Sequence, residues 1–353
     1  MAELHVSKCT TINPCHFALI ADLDQGSRRI NESGDVYFES RIMLGSLIID
    51  ENNIKHVSIN MYVDAPVIGS IAYQGRGMEL SELLMWQSKL YAFDDRSGIV
   101  YELLLENNNA VGKLPAFIKR ARKSNKNIQS DIKWNDIKFT VIPRYIITES
   151  STSQKGMKIE WATIFGNDMF IGSFGKEFTM EEGGKILSED NMLVVKISEA
   201  TDRLERLDWT NTYEKIRAAV NALSPGYIIH EAVLYRQSSE EWYFLPRRIS
   251  TELYNVRNDT FKGANKIIIL DKHQQTRVVT IPFNSKCKMR GFSSAKFVPG
   301  SKEKLIIALR SVENEETAIF QTYLSIFSIN GEILLDEVLV SDKYKFEGIE
   351  FIM

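Results

Sequence analysis

The chain has 353 residues, enough for one large domain or two ordinary ones. Its 44% hydrophobic and 25% charged content is that of a soluble globular protein. With 43 basic against 46 acidic side chains the net charge is −3, which gives no global electrostatic reason to hold nucleic acid or an anionic membrane.

In chain order, Cys9 and Cys15 come first. They close a short loop in an oxidising compartment or stay free thiols; with Cys287 they are too few for a disulfide framework and show no CxxC metal spacing. His16–Ala21 reads as an apolar strand ending at Asp22, with Arg28 just beyond. Asn31-Glu-Ser, and later Asn258-Asp-Thr, have the pattern of glycosylation acceptors, which chance also produces. Ser81-Glu-Leu-Leu-Met-Trp86 starts the next strand; Leu90–Phe93 follows and ends at Asp94-Asp95-Arg96, and Val100–Leu103 comes third. Residues 107–156 depart from this rhythm. They carry Lys119-Arg-Ala-Arg-Lys123, Lys126 and a polar stretch at Ser150–Gln154, and read as an elaborated loop whose basic part, 113–126, is a solvated face or, in a sharper reading, a polyanion contact.

Glu160–Ile164 resumes the strands and leads to Lys176-Glu177. Tyr213 to Leu223 carries Ile216, Val220 and Leu223 at helical spacing, stopped by Pro225-Gly226. Glu231–Leu234 leads to Arg247-Arg248, and Ser293–Phe297 leads through Leu305–Leu309 to Arg310. Asn330-Gly331, between Leu324–Phe327 and Ile333–Leu335, predicts a two-residue hairpin turn, and Glu347–Phe351 is the last strand. No apolar run approaches the ~18 residues that span a bilayer. Residues 1–30 lack the three regions of a secretory signal, so the sequence by itself reads as cytosolic, or as a mature or trimmed form.

Five of these strands start alike, at Ser81, Glu160, Glu231, Ser293 and Glu347. Successive starts lie roughly 50 to 80 residues apart, about right for one four-stranded propeller blade with its loops. The first four lead through a second strand to a charged end; the fifth is completed by the N-terminal strand, which closes the ring and removes exposed sheet edges. In an antiparallel hairpin the start of the first strand and the end of the second share one end. If the first strands line the axis, the five starts ring a central channel and the charged ends surround the same mouth. Three carboxylates facing one channel repel each other unless a cation sits between them, and hard oxygen donors in a roomy ring suit calcium better than zinc. The plain alternative is a set of unrelated polar strand ends. The expected architecture is an all-β, five-bladed β-propeller over residues 1–353 with a central calcium site.

These stretches resemble the calcium-activated nucleotidases, or soluble apyrases, of vertebrates and blood-feeding arthropods. The resemblance is carried by Phe17–Asp24, Gly75–Leu83, Asp94–Gly98, Lys155–Trp161, Gly175–Glu177, Pro225–Glu231, Phe244–Arg248, Lys262–Asn265, Gly291–Ser294 and Phe346–Phe351, in order along nearly the whole chain. It implies a five-bladed propeller with one calcium held at Ser81, Glu160, Glu231, Ser293 and Glu347, and nucleotide-site carboxylates at Asp22, Glu79 and Asp95. It also implies nucleoside di- and triphosphates such as UDP, GDP, ADP and ATP as substrates, and a secreted or ER/Golgi location. The chain departs from the family in lacking a signal or anchor and in its basic segment after Glu106.

A polyphosphate needs a cation to enter an acidic site, and calcium would neutralise and orient it for in-line attack. Arg28, Arg96, Arg247 and Arg248 are candidate phosphate clamps, with Lys176 adding a point charge; each has a surface or inter-blade ion pair as its plain alternative. Asp22, Glu79 and Asp95 stand unranked as acceptors for the attacking water, and Asp24 is a weaker second choice. By strand alternation His230 and Trp161 point away from Glu231 and Glu160 into the packing. No P-loop is present. A calcium-propeller esterase or lactonase, disfavoured by the arginines, and a non-enzymatic protein-binding propeller are the alternatives. No nucleic acid and no membrane segment are expected as contacts, and a homodimer stays open.

Overall fold

A computed structural model describes residues 8–10, 14–50, 53–107, 110–112, 137–150, 153, 155–180, 185–314 and 317–352. Among these the chain is all-β, with one α-helix longer than a single turn, Thr210–Ala219. It divides into two compact units, Met1–Met157 with Glu347–Met353, and Lys158–Phe346.

The first unit is built from β1 (Cys15–Asp22), β2 (Arg28–Ile30), β3 (Val36–Ile49), β4 (Val57–Gly69), β5 (Leu80–Trp86), β6 (Lys89–Asp94), β7 (Ile99–Asn107), β8 (Ala110–Gly112) and β9 (Ile137–Ile146). The final strand, Lys345–Phe351, pairs with β1, and β3 and β4 follow it; β5, β6, β7 and β9 form a second run of four. The two runs meet in a short parallel bridge, Val67 opposite Phe139 and Ile68 opposite Thr140. The core is the inward face of these strands, where Ile20, Leu44, Leu83, Ala92, Tyr101 and Phe139 pack together. A disulfide joins Cys9 to Cys15, resolving the choice the sequence left open, and the Cys9 carbonyl accepts from the Ile49 N–H at 2.7 Å. The segment read as an elaborated loop contributes β8 and β9, the latter paired with β7. β9 escapes recognition because Pro143 lies within it and argues against an interior strand, and because it follows the long polar and basic stretch. The basic stretch 113–126 lies outside the described residues.

The second unit contains three antiparallel meanders. β10 (Trp161–Phe165), β11 (Asp168–Gly172), β14 (Leu193–Ile197) and β15 (Leu204–Asp208) form the first, with the small hairpin β12 (Phe178–Thr179) and β13 (Ile186–Ser188) inserted. β16 (Tyr227–Arg236) to β19 (Thr276–Thr280), through β17 (Glu241–Ser250) and β18 (Lys266–Leu270), form the second. β20 (Gly291–Phe297), β21 (Leu305–Asn314), β22 (Ile319–Ser328) and β23 (Ile333–Ser341) form the third. The first strands pack in series, β10 against β16 and β16 against β20. Strand β24 (Lys345–Phe351) begins in this unit and from Glu347 onward belongs to the first.

Two local expectations change in detail. The helix ends at Ala219, because the chain turns at Asn221 with φ 57°; Tyr213 and Ile216 are buried, while Leu223 is exposed. The Asn330-Gly331 turn is longer than two residues: Gly331 takes φ 87° and donates to the Ser328 carbonyl at 2.9 Å, and the Ser328 N–H closes onto the Glu332 carbonyl.

Candidate active site

In the first unit, Asp94 organises the acidic loops. Its buried carboxylate accepts from the backbone N–H groups of Met78 (2.8 Å), Arg96 (2.9 Å) and Ser97 (3.0 Å). This ties the approach to β5, which carries Glu79, to the turn after β6, which carries Asp95 and Arg96; the Asp95 N–H completes the link by donating to the Glu79 carbonyl at 2.9 Å. Burial pushes the Asp94 carboxyl up to about 7 and nearby Asp95 adds to the shift, while the backbone donors oppose it.

Around this frame Asp22, at the end of β1, accepts from the Asp24 N–H at 2.8 Å. Glu79 is forked by the Arg76 guanidinium, with Nε to Oε1 at 2.7 Å, and Arg76 also lies 3.7 Å from Asp24. Burial raises the Glu79 carboxyl, Arg76 opposes, and Asp95 and Asp24 add to the rise. Among the described residues, Asp22, Asp24 and Glu79 are the one trio of potential metal-ligating side chains whose donor atoms fall within 4.8 Å of one another. That trio contains two of the predicted catalytic carboxylates and none of the predicted calcium ligands. Arg76 was missed by sequence reasoning, although its i,i+3 spacing to Glu79 was there to be read. Arg96 is half-buried, donates to the Gln74 side chain at 3.2 Å and lies over the Tyr73 ring, whereas Arg28 is exposed at the start of β2.

Three of the five predicted calcium positions share a backbone feature that the sequence does not reveal. In β5 the register jumps from Leu80 opposite Asp94 to Glu82 opposite Phe93, leaving Ser81 as an extra residue. In β16 it jumps from His230 opposite Pro246 to Ala232 opposite Leu245, leaving Glu231. In β20 it jumps from Phe292 opposite Arg310 to Ser294 opposite Leu309, leaving Ser293. A β-bulge re-aims the side chain of its extra residue out of the pleat alternation. Glu160 immediately precedes β10 and its N–H donates to the Gly172 carbonyl at 2.9 Å; Glu347 is buried in β24.

Both second-unit glutamates are held by cations. Lys158 Nζ is 2.7 Å from Glu160. Arg247 Nη1 lies 2.7 and 2.6 Å from the two oxygens of Glu231, while its Nη2 binds Glu313, which Lys345 also contacts at 3.2 Å. Burial pushes the Glu313 carboxyl up, but Lys345 and Arg247 outweigh it and hold the group well below the ordinary range. Gly291 permits this arrangement, since a Cβ there would lie 1.9 Å from the Arg247 carbonyl. The Ser293 hydroxyl donates to the Phe346 carbonyl at 3.2 Å and the Ser81 hydroxyl to the Phe93 carbonyl at 3.3 Å. Carboxylate and hydroxyl oxygens such as these are the donor type that calcium takes.

Other predicted site residues fare differently. Arg248 is 3% exposed, donates to the Met289 carbonyl at 3.0 Å and lies 3.6 Å from Asp259, so it supports the fold and is no exposed clamp. Arg310, expected among the charged ends at the mouth, is likewise buried, paired with Glu337 and laid over the Phe283 ring at 4.2 Å. Lys176 Nζ sits 4.2 Å from the Tyr254 ring centroid and donates to the Glu177 carbonyl at 2.7 Å. Burial lowers the Lys176 ammonium to about 8, against the pull of Glu177 and Asp259.

His230 and Trp161 both face the packing. Trp161 is fully buried and donates to the Ser173 carbonyl at 2.9 Å. His230 is fully buried, stacks on Tyr213 at 5.2 Å, and burial, helped by Arg217, depresses its imidazole to about 3. The unfolded histidine takes its proton near pH 6.5, so the unfolded state binds more protons between there and about pH 3. Stability supplied by the neutral ring is full above pH 6.5 and falls as the pH drops, at a limiting slope of about 1.4 kcal/mol per pH unit. Urea midpoints measured from pH 7 to pH 4 should show this slope, and His230→Phe should remove that one-proton component.

A family model described as Apyrase matches residues 23–140 and 128–352. An apyrase of Cimex lectularius is 35% identical over 80% of this chain and 67% of its own length. Soluble calcium-activated nucleotidase 1 of Rattus norvegicus is 32% identical over 95% of this chain and 73% of its own. Apyrase apy-1 of Caenorhabditis elegans is 31% identical over 94% and 83%. No helix among the described residues is long and apolar enough to cross a membrane.

Proposed function

This chain belongs to the apyrase family and is a nucleotide phosphohydrolase, and from that premise we propose that it requires calcium and cleaves nucleoside di- and triphosphates to monophosphates and phosphate. The observation that carries the calcium reading is the recurrence of a β-bulge at Ser81, Glu231 and Ser293, three of the five residues assigned as ligands with Glu160 and Glu347. Ordinary strand ends have no reason to repeat that irregularity, whereas a cation needing several oxygens does. The name of the rat relative, a calcium-activated nucleotidase, points the same way.

Five four-stranded groups support a five-bladed propeller: β24-β1-β3-β4, β5-β6-β7-β9 and the three meanders of the second unit. Bound calcium would supply charge neutralisation and orientation of the phosphate oxygens. Of the acceptors for the attacking water we assign Asp95. Asp22 and Glu79 are 4% and 1% exposed and Glu79 is forked by Arg76, while Asp95 is only half-buried and carries no such fork among the contacts described. Arg96, Arg28, Lys176 and Arg247 stand as phosphate contacts. The Cys9–Cys15 bond accords with a secreted or luminal location.

Phosphate release from UDP, GDP, ADP and ATP, with calcium and with a chelator, tests the reading. Release from di- and triphosphates that stops on chelation is expected. Equal release from UMP or AMP, activity that survives chelation, or preference for an aryl ester would overturn it.

A further inference from the structure

The guanidinium of Arg247 forks Glu231, an assigned calcium ligand, with one nitrogen and binds Glu313 with the other. Glu313 is neither a ligand position nor a strand start. It lies at the far end of β21, where Lys345 also meets it. The Arg247 and Glu231 side chains are 8% and 7% exposed, so water does little to solvate either charge, and each is needed to neutralise the other while no metal is bound.

We propose that Arg247 is the built-in counter-cation of Glu231 in the metal-free chain, and that Glu313 is the positioning residue that retains Arg247 when Glu231 turns to calcium. The inference rests on the calcium reading above. A carboxylate that gives both oxygens to one guanidinium nitrogen offers less charge to a metal, so metal and arginine compete for Glu231. Glu313 keeps a partly buried carboxylate on the displaced guanidinium. With Glu313 it stays in register, and the nitrogen released from Glu231 becomes a donor for an anion such as the substrate phosphate. Calcium binding and phosphate binding would then be coupled through one side chain whose two ends serve the two events in turn.

The two residues should shift metal affinity in opposite directions. Arg247→Gln removes the competitor and leaves two carboxylates, so calcium should bind tighter by about threefold or more while the KM for UDP rises. Glu313→Gln commits Arg247 to Glu231, so calcium should bind more weakly by about threefold or more, and Glu313→Asp should restore part of the loss. Calcium affinity is read by titration calorimetry on the full chain without nucleotide, with thermal melts in chelator to confirm folding. A merely structural Arg247 predicts weaker calcium binding in Arg247→Gln, and that result overturns the proposal. Unchanged affinity in Glu313→Gln overturns the role of Glu313. A wild-type chain that binds no calcium overturns the metal reading itself, and this inference with it. Should Arg247→Gln fail to fold, Arg247→Lys decides: it keeps the charge but loses the fork, and should still bind calcium more tightly than wild type.

Discussion

Replacing Asp95 by Asn is expected to lower kcat for UDP by about a hundredfold or more, the scale at which a positioned proton acceptor contributes. The amide keeps the size of the side chain and leaves the frame around it intact. The Asp95 N–H still donates to the Glu79 carbonyl, and Asp94 still holds the N–H groups of Met78, Arg96 and Ser97. Thermal stability and calcium affinity should therefore stay near those of the wild type while turnover collapses. Phosphate release at saturating calcium, set beside a calcium titration of the same preparation, separates the two quantities. Unchanged turnover would remove Asp95 from the mechanism. A fall in calcium affinity matching the fall in kcat would make it a ligand.

The second large effect concerns stability. Glu337 is 4% exposed in its side chain and is the shared anion of Arg310 and Arg290, whose side chains are 4% and 15% exposed. Arg310 also donates to the carbonyls of Ala264 and Arg290, and its guanidinium lies over Phe283 and Phe292; that of Arg290 lies 3.5 Å from the Tyr323 ring centroid. Glu337→Gln leaves two cations without their counter-charge in an aromatic setting, which costs about 3 kcal/mol or more. Urea unfolding should show the midpoint falling with little change in slope. A loss below about 1 kcal/mol would mean that water reaches the pair freely, as at an exposed ion pair.

Much of this architecture was legible in the sequence because the strands announce themselves. Apolar runs such as Leu305–Leu309, bounded by turn residues, fold as read, and the acidic or serine strand starts fall at the start of β5, just before β10, and within β16, β20 and β24. The bulges at Ser81, Glu231 and Ser293 were not legible, since an extra residue in one strand is defined only by the register of its partner. The arginines were misread for a related reason. A sequence shows that Arg248 and Arg310 end second strands; it does not show that Asp259 and Glu337, remote in the chain, meet them. Strand β9 escaped because Pro143 and the basic stretch before it read as loop, although the strand pairs with β7 along its length. His230 packs inward as read, although the bulge at Glu231 suspends the alternation on which that reading rested.

The pairing of β24 with β1 has a consequence during synthesis. β1 leaves the ribosome on the order of 300 residues before the strand that covers it, an interval of tens of seconds at ordinary elongation rates. Throughout that time one edge of β1 and apolar side chains such as Phe17 and Leu19 lack the neighbour they have in the finished sheet. The three meanders of the second unit pair strands close in sequence and can assemble as they emerge, whereas the first unit must wait for residues 347–351. A nascent chain is therefore most exposed to aggregation and to holding chaperones through the part that was made first.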